Sequence, residues 1–175
     1  MPRSALATNK HRPLSKGPRA SHELYPAISV VLASSLAVLP IISQNGWWPN
    51  FGLVMLLSWR LLRADAWAAW VAAPLGLWND LVTGSPVGLS VALWTAMMLA
   101  MDVVDRRTMW RDYWIEWALA AAFIAVAEIA QWRAAAIAGA PVRFATIWPA
   151  VLVSALLFPI AAYLVARLDR WRLGQ

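Results

Sequence analysis

The sequence contains no cysteine, so neither a disulfide bond nor a thiolate metal site can hold the fold together. Charged residues are also scarce, at 14% of 175 residues, where a soluble domain carries roughly a quarter. The two histidines, His11 and His22, both lie near the N-terminus, and there is no glycine-rich phosphate loop and no nucleophile–base pair. We therefore expect no enzyme activity, no cofactor and no metal site.

Hydrophobic residues dominate what is present. They make up 61% of the chain, the mean hydropathy is +0.57, and there are 13 tryptophans. Tryptophan is enriched at the boundary between a membrane and water, where one part of its ring is apolar and another is wet. The net charge of +6 would suggest nucleic acid as a partner of a soluble protein. Here the basic residues lie between apolar runs, which predicts the lipid bilayer and no nucleic acid.

Six apolar segments predict an all-α integral membrane bundle. They cover residues 25–43, 48–62, 67–82, 87–104, 113–132 and 147–165. A membrane helix needs about 20 apolar residues, with a lower limit near 17. The second segment spans only about 22 Å at 1.5 Å per residue. Its length alone leaves two alternatives: a crossing in which Arg60 snorkels to the headgroups, or a re-entrant piece.

The distribution of arginine and lysine favours six crossings. With the N-terminus in the cytoplasm and six crossings, 13 of the 15 basic residues lie inside and only Arg133 and Arg143 lie outside. Without the second crossing, seven lie inside and eight outside. The positive-inside rule selects the first arrangement. The cytoplasmic set is Arg3, Lys10, Arg12, Lys16, Arg19, Arg60, Arg63, Arg106, Arg107, Arg111, Arg167, Arg170 and Arg172.

This topology divides the chain into three parts in a bacterial inner membrane. Residues 1–22 are expected to be a disordered, basic cytoplasmic tail, for which a cleaved signal peptide is the alternative. Residues 23–166 form the six-helix domain, and residues 167–175 form a basic cytoplasmic C-terminus. Two acidic residues near the inner ends are expected to join interfacial charge networks with neighbouring arginines: Asp102, Glu116, Arg106 and Arg111.

The turn between the third and fourth segments has strong local signals. Gly84 suits a conformation that other residues resist, Ser85 is predicted to be the N-cap of the next helix, and Pro86 its first residue. Small residues then recur every four positions, which permits close helix contact in lipid. Two interpretations remain: packing inside this bundle, or a binding face for a helix of another protein. The stripe consists of Gly84, Gly88, Ala92, Ala96 and Ala100.

Two acidic residues fall in the outer half of the predicted membrane domain. Asp80 lies within a turn of the outer end of the third segment, where a carboxylate is costly unless it has a partner. It is interpreted as a fastener of the turn, a ligand or interface contact, or a proton relay. Glu128 lies near Gln131 and Arg133 in the fifth segment. The two carboxylates are candidates to line one polar pocket.

Three sequence elements together resemble the rod shape-determining MreD family. Trp48-Pro49-Asn50-Phe51 opens the second segment, which closes with Trp59-Arg60. A central run, Gly76 to Leu89, has the pattern Gly-x-x-x-Asp-Leu-x-x-Gly-x-Pro-x-Gly, and the fourth segment ends in Asp105-Arg106-Arg107. Their order and spacing match the family from residue 25 onward. Within the run the sequence departs from the common pattern only at Asn79 and Val87, where leucine is usual.

The resemblance implies a non-enzymatic subunit of the bacterial elongation machinery. Members of this family associate with MreC, and through it connect cytoplasmic MreB filaments to lateral peptidoglycan synthesis by RodA and a transpeptidase. An alternative from a different class is a small-molecule or lipid-binding membrane subunit of a transporter. Its pocket would lie near Asp80 and Glu128.

Overall fold

The computed structural model describes residues 20–39, 48–63, 67–107, 112–139 and 143–173. Within these ranges the chain forms six α-helices and no strand, which confirms the predicted all-α class. The helices are α1 Ala20–Ser35, α2 Phe51–Leu62, α3 Ala72–Thr83, α4 Leu89–Arg107, α5 Tyr113–Ile137 and α6 Ile147–Leu173. Short 3-10 turns precede or follow them at Leu36–Val38, Ala69–Val71 and Phe144–Thr146.

Several helices extend beyond the predicted apolar segments. The prediction that the disordered tail reaches residue 22 is wrong at its end, because α1 begins at Ala20. Likewise α5 and α6 continue to Ile137 and Leu173. Hydropathy marks the apolar part of a helix, whereas the backbone hydrogen bonds that define it continue into polar flanks. Other parts of the predictions lie outside the described residues, namely residues 1–19, Pro40, the turn up to Trp47, Arg111 and Pro141.

Among the residues that the structure describes, two helices are long and apolar enough to cross a membrane. They are Tyr113–Ile137 and Ile147–Trp171, and only 17% and 28% of their apolar windows are buried inside the protein. A core helix of a soluble protein would be mostly buried. Apolar helices that expose most of their surface would gain by burying it in lipid, so these two favour membrane association.

Aromatic side chains cluster at both ends of α5. Near its start, the rings of Tyr113, Trp114 and Trp117 contact one another edge to face, at centroid distances of 5.8 and 6.1 Å. Near its end, Trp132 contacts Phe144 with a centroid distance of 5.2 Å. Trp114 and Trp132 are separated by about 27 Å along the helix axis, close to the roughly 30 Å of a bilayer core. The spacing matches two aromatic belts.

The helix α2 is one of the two shortest and is also the most buried. α2 buries nine of its twelve residues, and it packs mainly between α1 and α6. It begins at a side-chain cap, in which the Asn50 carboxamide oxygen accepts a hydrogen bond from the Leu53 amide at 3.0 Å. Because α2 is enclosed by other helices, its polar residues must find partners within the protein rather than in lipid or water.

A glycine permits the close contact between α3 and α4. A Cβ atom at Gly76 of α3 would lie 2.7 Å from the backbone carbonyl group of Ser90 in α4. That separation is shorter than van der Waals contact, so only glycine fits this backbone spacing. The small residue that brings α3 against α4 is therefore Gly76.

Replacing Gly76 with alanine is expected to destabilise the protein by about 1–3 kcal/mol, because α3 and α4 must move apart. Without this contact, the same change inside a helix would stabilise the protein by up to about 1 kcal/mol. The sign of the change in unfolding free energy therefore shows whether Gly76 is needed for the contact with α4. Thermal unfolding in detergent micelles measures it. Ala92→Leu on the exposed face of α4 is the control, with an expected change below about 0.5 kcal/mol.

Candidate functional site

A buried carboxylate joins α3 to the start of α4. Asp80 is 1% exposed, and its side chain accepts hydrogen bonds from the backbone amides of Gly88 at 2.8 Å and Ser90 at 3.0 Å. Both amides belong to the first turn of α4 or to the residue before it, where no intrahelical acceptor exists. The positive end of the helix dipole also favours a negative charge there. Asp80 thus closes the α3–α4 turn through hydrogen bonds to the next helix.

The prediction that Ser85 caps α4 and that Pro86 is its first residue is wrong. α4 begins at Leu89, and the Ser85 hydroxyl instead pairs with the Thr83 hydroxyl at 2.9 Å. A carboxylate is a stronger acceptor than a hydroxyl, and Asp80 reaches the α4 amides from the neighbouring helix. Gly84 ends α3 in the left-handed conformation, with φ of 68°, as a glycine after a helix commonly does.

The predicted small-residue stripe divides into two parts. Gly84 and Gly88 both have positive φ, and a Cβ atom added at either one would have no described neighbour within 4 Å. These two glycines therefore serve the turn and bring no helix into close contact. Ala92, Ala96 and Ala100 lie on α4 and are exposed. The described residues of the bundle leave this alanine face uncovered.

A polar cavity of about 470 Å³ lies between α1, α2, α3 and α5. Glu128 and Gln131 of α5 and Asn79 and Thr83 of α3 are on its wall. Glu128, Gln131 and Thr83 also border a neighbouring cavity of about 740 Å³ beside the α5–α6 connection. Asp80 lines neither cavity, because its carboxylate is directed into α4. Glu128 therefore shares the polar cavity with Asn79, the neighbour of Asp80.

A cluster of charged side chains lies at the end of the bundle opposite the polar cavity. Arg60 is 2% exposed, and its Nη2 atom pairs with Asp102 at 2.6 Å and with Asp105 at 2.7 Å. The expectation that Arg60 snorkels to the headgroups is wrong, because α2 is enclosed and the carboxylates of α4 reach it. Close by in sequence, Arg63 pairs with Asp169 of α6 at 2.7 Å.

Sequence reasoning missed the pairing of Arg60 with Asp102, which was assigned to an interfacial network with Arg106. The sequence did contain one signal of this ion pair. Asp102 and Asp105 are three residues apart, so both carboxylates share one side of α4 and can converge on one cation. The sequence did not show which arginine that cation would be.

The chemical inventory of the described residues is small. Among them, no group of three or more Asp, Glu, His or Cys side chains lies close enough to hold a metal ion. The polar side chains act instead as caps, ion pairs and cavity walls. Comparisons with protein-family models, with curated proteins and with solved structures found no match.

Proposed function

We propose that this protein is a non-enzymatic, multi-pass scaffold of the bacterial elongation machinery in the inner membrane. It associates with MreC and thereby couples MreB filaments to peptidoglycan synthesis by RodA and a transpeptidase. The resemblance of the run Gly76 to Leu89 to the MreD family is the sequence basis of the proposal. The observation that carries it is the α3–α4 hairpin, which that run builds.

The hairpin is suited to docking another helix. Gly76 packs α3 tightly on α4, and Asp80 fastens the connection, so the pair forms a rigid unit. On its outer side the alanine face of Ala92, Ala96 and Ala100 is exposed. Small side chains allow two helix backbones to approach closely, which is how helices associate in lipid. A single transmembrane helix such as that of MreC fits this surface chemically.

The contacts between helix ends support six crossings with alternating directions. The C-terminal ends of α2, α4 and α6 meet at the ion pairs Arg60–Asp102 and Arg63–Asp169. At the other end of the bundle, one cavity is lined by the end of α1, the start of α2 and the end of α3. Helices that alternate between these two ends match the arrangement that places both termini in the cytoplasm. The 12-residue α2 then connects the two ends.

Ala92→Leu and Ala96→Leu are expected to reduce co-purification with MreC by at least about tenfold, which corresponds to about 1.4 kcal/mol. A leucine would hold the partner's backbone away from α4. Co-purification from membranes measures the effect, and host cells should lose rod shape. Ala122→Leu is the matched control, because Ala122 is an exposed alanine on α5. Undiminished recovery of MreC with both α4 variants would contradict docking at this face.

A second candidate function is a small-molecule or lipid-binding subunit of a transporter. The polar cavity beside Glu128 and Asn79 is the observation that favours it. Depletion of the protein in its host separates the two functions. Loss of rod shape with intact nutrient uptake supports the scaffold, whereas an uptake defect in cells of normal shape supports the transporter subunit.

A further inference from the structure

Two buried oxygen atoms in the polar cavity have no hydrogen-bond partner among the described residues. They are the side-chain oxygens of Ser34 in α1 and Asn79 in α3. Ser34 is 3% exposed and Asn79 is fully buried. The Asn79 amide nitrogen donates to the Ser90 hydroxyl at 3.1 Å, which holds the carboxamide in place. A buried polar atom without a partner costs about 1–3 kcal/mol, so two at one place indicate a missing hydrogen-bond partner.

Both oxygens lie close to Gly52 of α2. A Cβ atom at Gly52 would meet the Ser34 hydroxyl and, at 3.1 Å, the Asn79 carboxamide oxygen. Any side chain at this position of α2 would therefore clash with the Ser34 hydroxyl, so only glycine lets α2 pack beside the two acceptors. The residues around it in α2 are almost all buried.

The cavity that Ser34 and Asn79 line is acidic in character. Glu128 is its only charged wall residue among those the structure describes, and its carboxylate has no ion-pair or hydrogen-bond partner there. No described lysine, arginine or histidine belongs to the wall. Trp48 and Phe51 contribute aromatic rings, with centroids 6.4 Å apart. The exposed residues Val38 and Thr83 also lie on the wall, so the cavity reaches the protein surface.

We infer that this cavity binds a primary ammonium group. Such a group has three N–H donors and no acceptor, which complements the Ser34 hydroxyl, the Asn79 carboxamide oxygen and the Glu128 carboxylate. Its positive charge matches the single carboxylate and the aromatic rings, whose faces attract cations. A ligand that offers only a phosphate or a carboxylate, with no cation, would find no cationic partner on the described wall. A quaternary ammonium would leave the two buried oxygens without donors.

Two sources supply a primary ammonium: the headgroup of phosphatidylethanolamine and a soluble amine. The cavity volume of about 470 Å³ accommodates either one. Neither source depends on the elongation role proposed above, and the inference is tested on the purified chain alone. Its failure would leave the scaffold proposal unchanged.

The test measures which lipids the full-length protein retains. The protein is placed in nanodiscs with equal amounts of phosphatidylethanolamine, phosphatidylcholine and phosphatidylglycerol, and bound lipid is counted by native mass spectrometry. Phosphatidylcholine is the sharpest comparison, because it carries the same charges without N–H donors. We expect at least about tenfold preference for phosphatidylethanolamine, equivalent to one hydrogen bond to a charged group. Equal retention of the three lipids excludes the lipid headgroup, and together with no binding of soluble ethanolamine it overturns the inference.

Two variants assign the preference to this cavity. Ser34→Ala removes an oxygen that has no described partner to lose, and Glu128→Gln removes the charge while keeping the shape, so both should fold. Each is expected to abolish most of the preference. Ser154→Ala is the matched control, because Ser154 is also fully buried, with a hydroxyl that no described residue bonds, but lies outside this wall. A preference that survives Ser34→Ala and Glu128→Gln contradicts the assignment.

A competition arm distinguishes the two sources. Soluble ethanolamine is added to the phosphatidylethanolamine-loaded protein. Displacement of the lipid at millimolar ethanolamine identifies the ammonium alone as the recognised group. Retention of the lipid assigns the site to the phosphatidylethanolamine headgroup rather than to a soluble amine, provided that the preference is lost in Ser34→Ala and Glu128→Gln.

Discussion

Replacing Arg60 with methionine is expected to destabilise the protein by about 3–5 kcal/mol, the largest effect of any single change considered for this fold. Arg60 is the buried cation between Asp102 and Asp105. Its removal takes away the cation that the two carboxylates share, of which the Asp105 side chain is only 20% exposed. Chemical or thermal unfolding in detergent micelles measures the loss.

The triple variant Arg60→Met, Asp102→Asn and Asp105→Asn should recover most of that stability. A buried ion pair contributes little net free energy compared with neutral residues, although breaking one side of it is costly. The Nε and Nη1 atoms of Arg60 lack partners among the described residues, which adds to the cost of burying it. Arg167→Met is the control, since Arg167 is exposed at the same end of the bundle. A single variant within about 1 kcal/mol of wild type would refute a central role for Arg60.

Replacing Asp80 with alanine is expected to destabilise the protein by about 3 kcal/mol, and replacing it with asparagine by about half as much. Alanine leaves the half-buried amide of Gly88 and the buried amide of Ser90 without the carboxylate acceptor. Asparagine keeps one acceptor but lacks the charge that favours the start of a helix. Unfolding measurements give the free energies.

Hydrogen exchange tests the mechanism behind the Asp80 variants. The amides of Gly88 and Ser90 should exchange faster in Asp80→Ala, while amides in the middle of α6 should not change. Ser85→Ala is the matched control on the same turn and should cost less than about 0.5 kcal/mol, because the Ser85 side chain bonds only the Thr83 hydroxyl among the described residues. A larger loss of unfolding free energy for Ser85→Ala than for Asp80→Ala would indicate that Ser85, and not Asp80, caps α4.

Local patterns in the sequence were sufficient for the secondary structure. Apolar runs of helical length predicted the all-α class, and each predicted segment overlaps one helix of the described residues. The turn at Gly84 was also predictable, because a glycine in the left-handed conformation ends a helix by rules that need only adjacent residues. Helix ends were less accurate, as shown by α1 starting at Ala20, because hydropathy does not follow backbone hydrogen bonding.

The candidate site depended on contacts that no local pattern specifies. Asp80 was singled out from the sequence, but its partners in α4 were only one set among several. Arg60 was expected at the headgroups and is buried against Asp102, 42 positions away. Ser34 carried no sequence signal, yet its buried hydroxyl belongs to the wall of the polar cavity together with Asn79.

The amino-acid sequence alone therefore determined that this chain is helical, apolar and asymmetrically charged, since these properties arise from composition and near-neighbour spacing. Only the tertiary structure decided which face of each helix is buried. These helices are apolar around most of their circumference, so hydropathy carries little information about their rotation. The rotation follows from close packing at Gly76 and from pairing buried charges, and it places Asp80, Arg60 and the polar cavity where they lie.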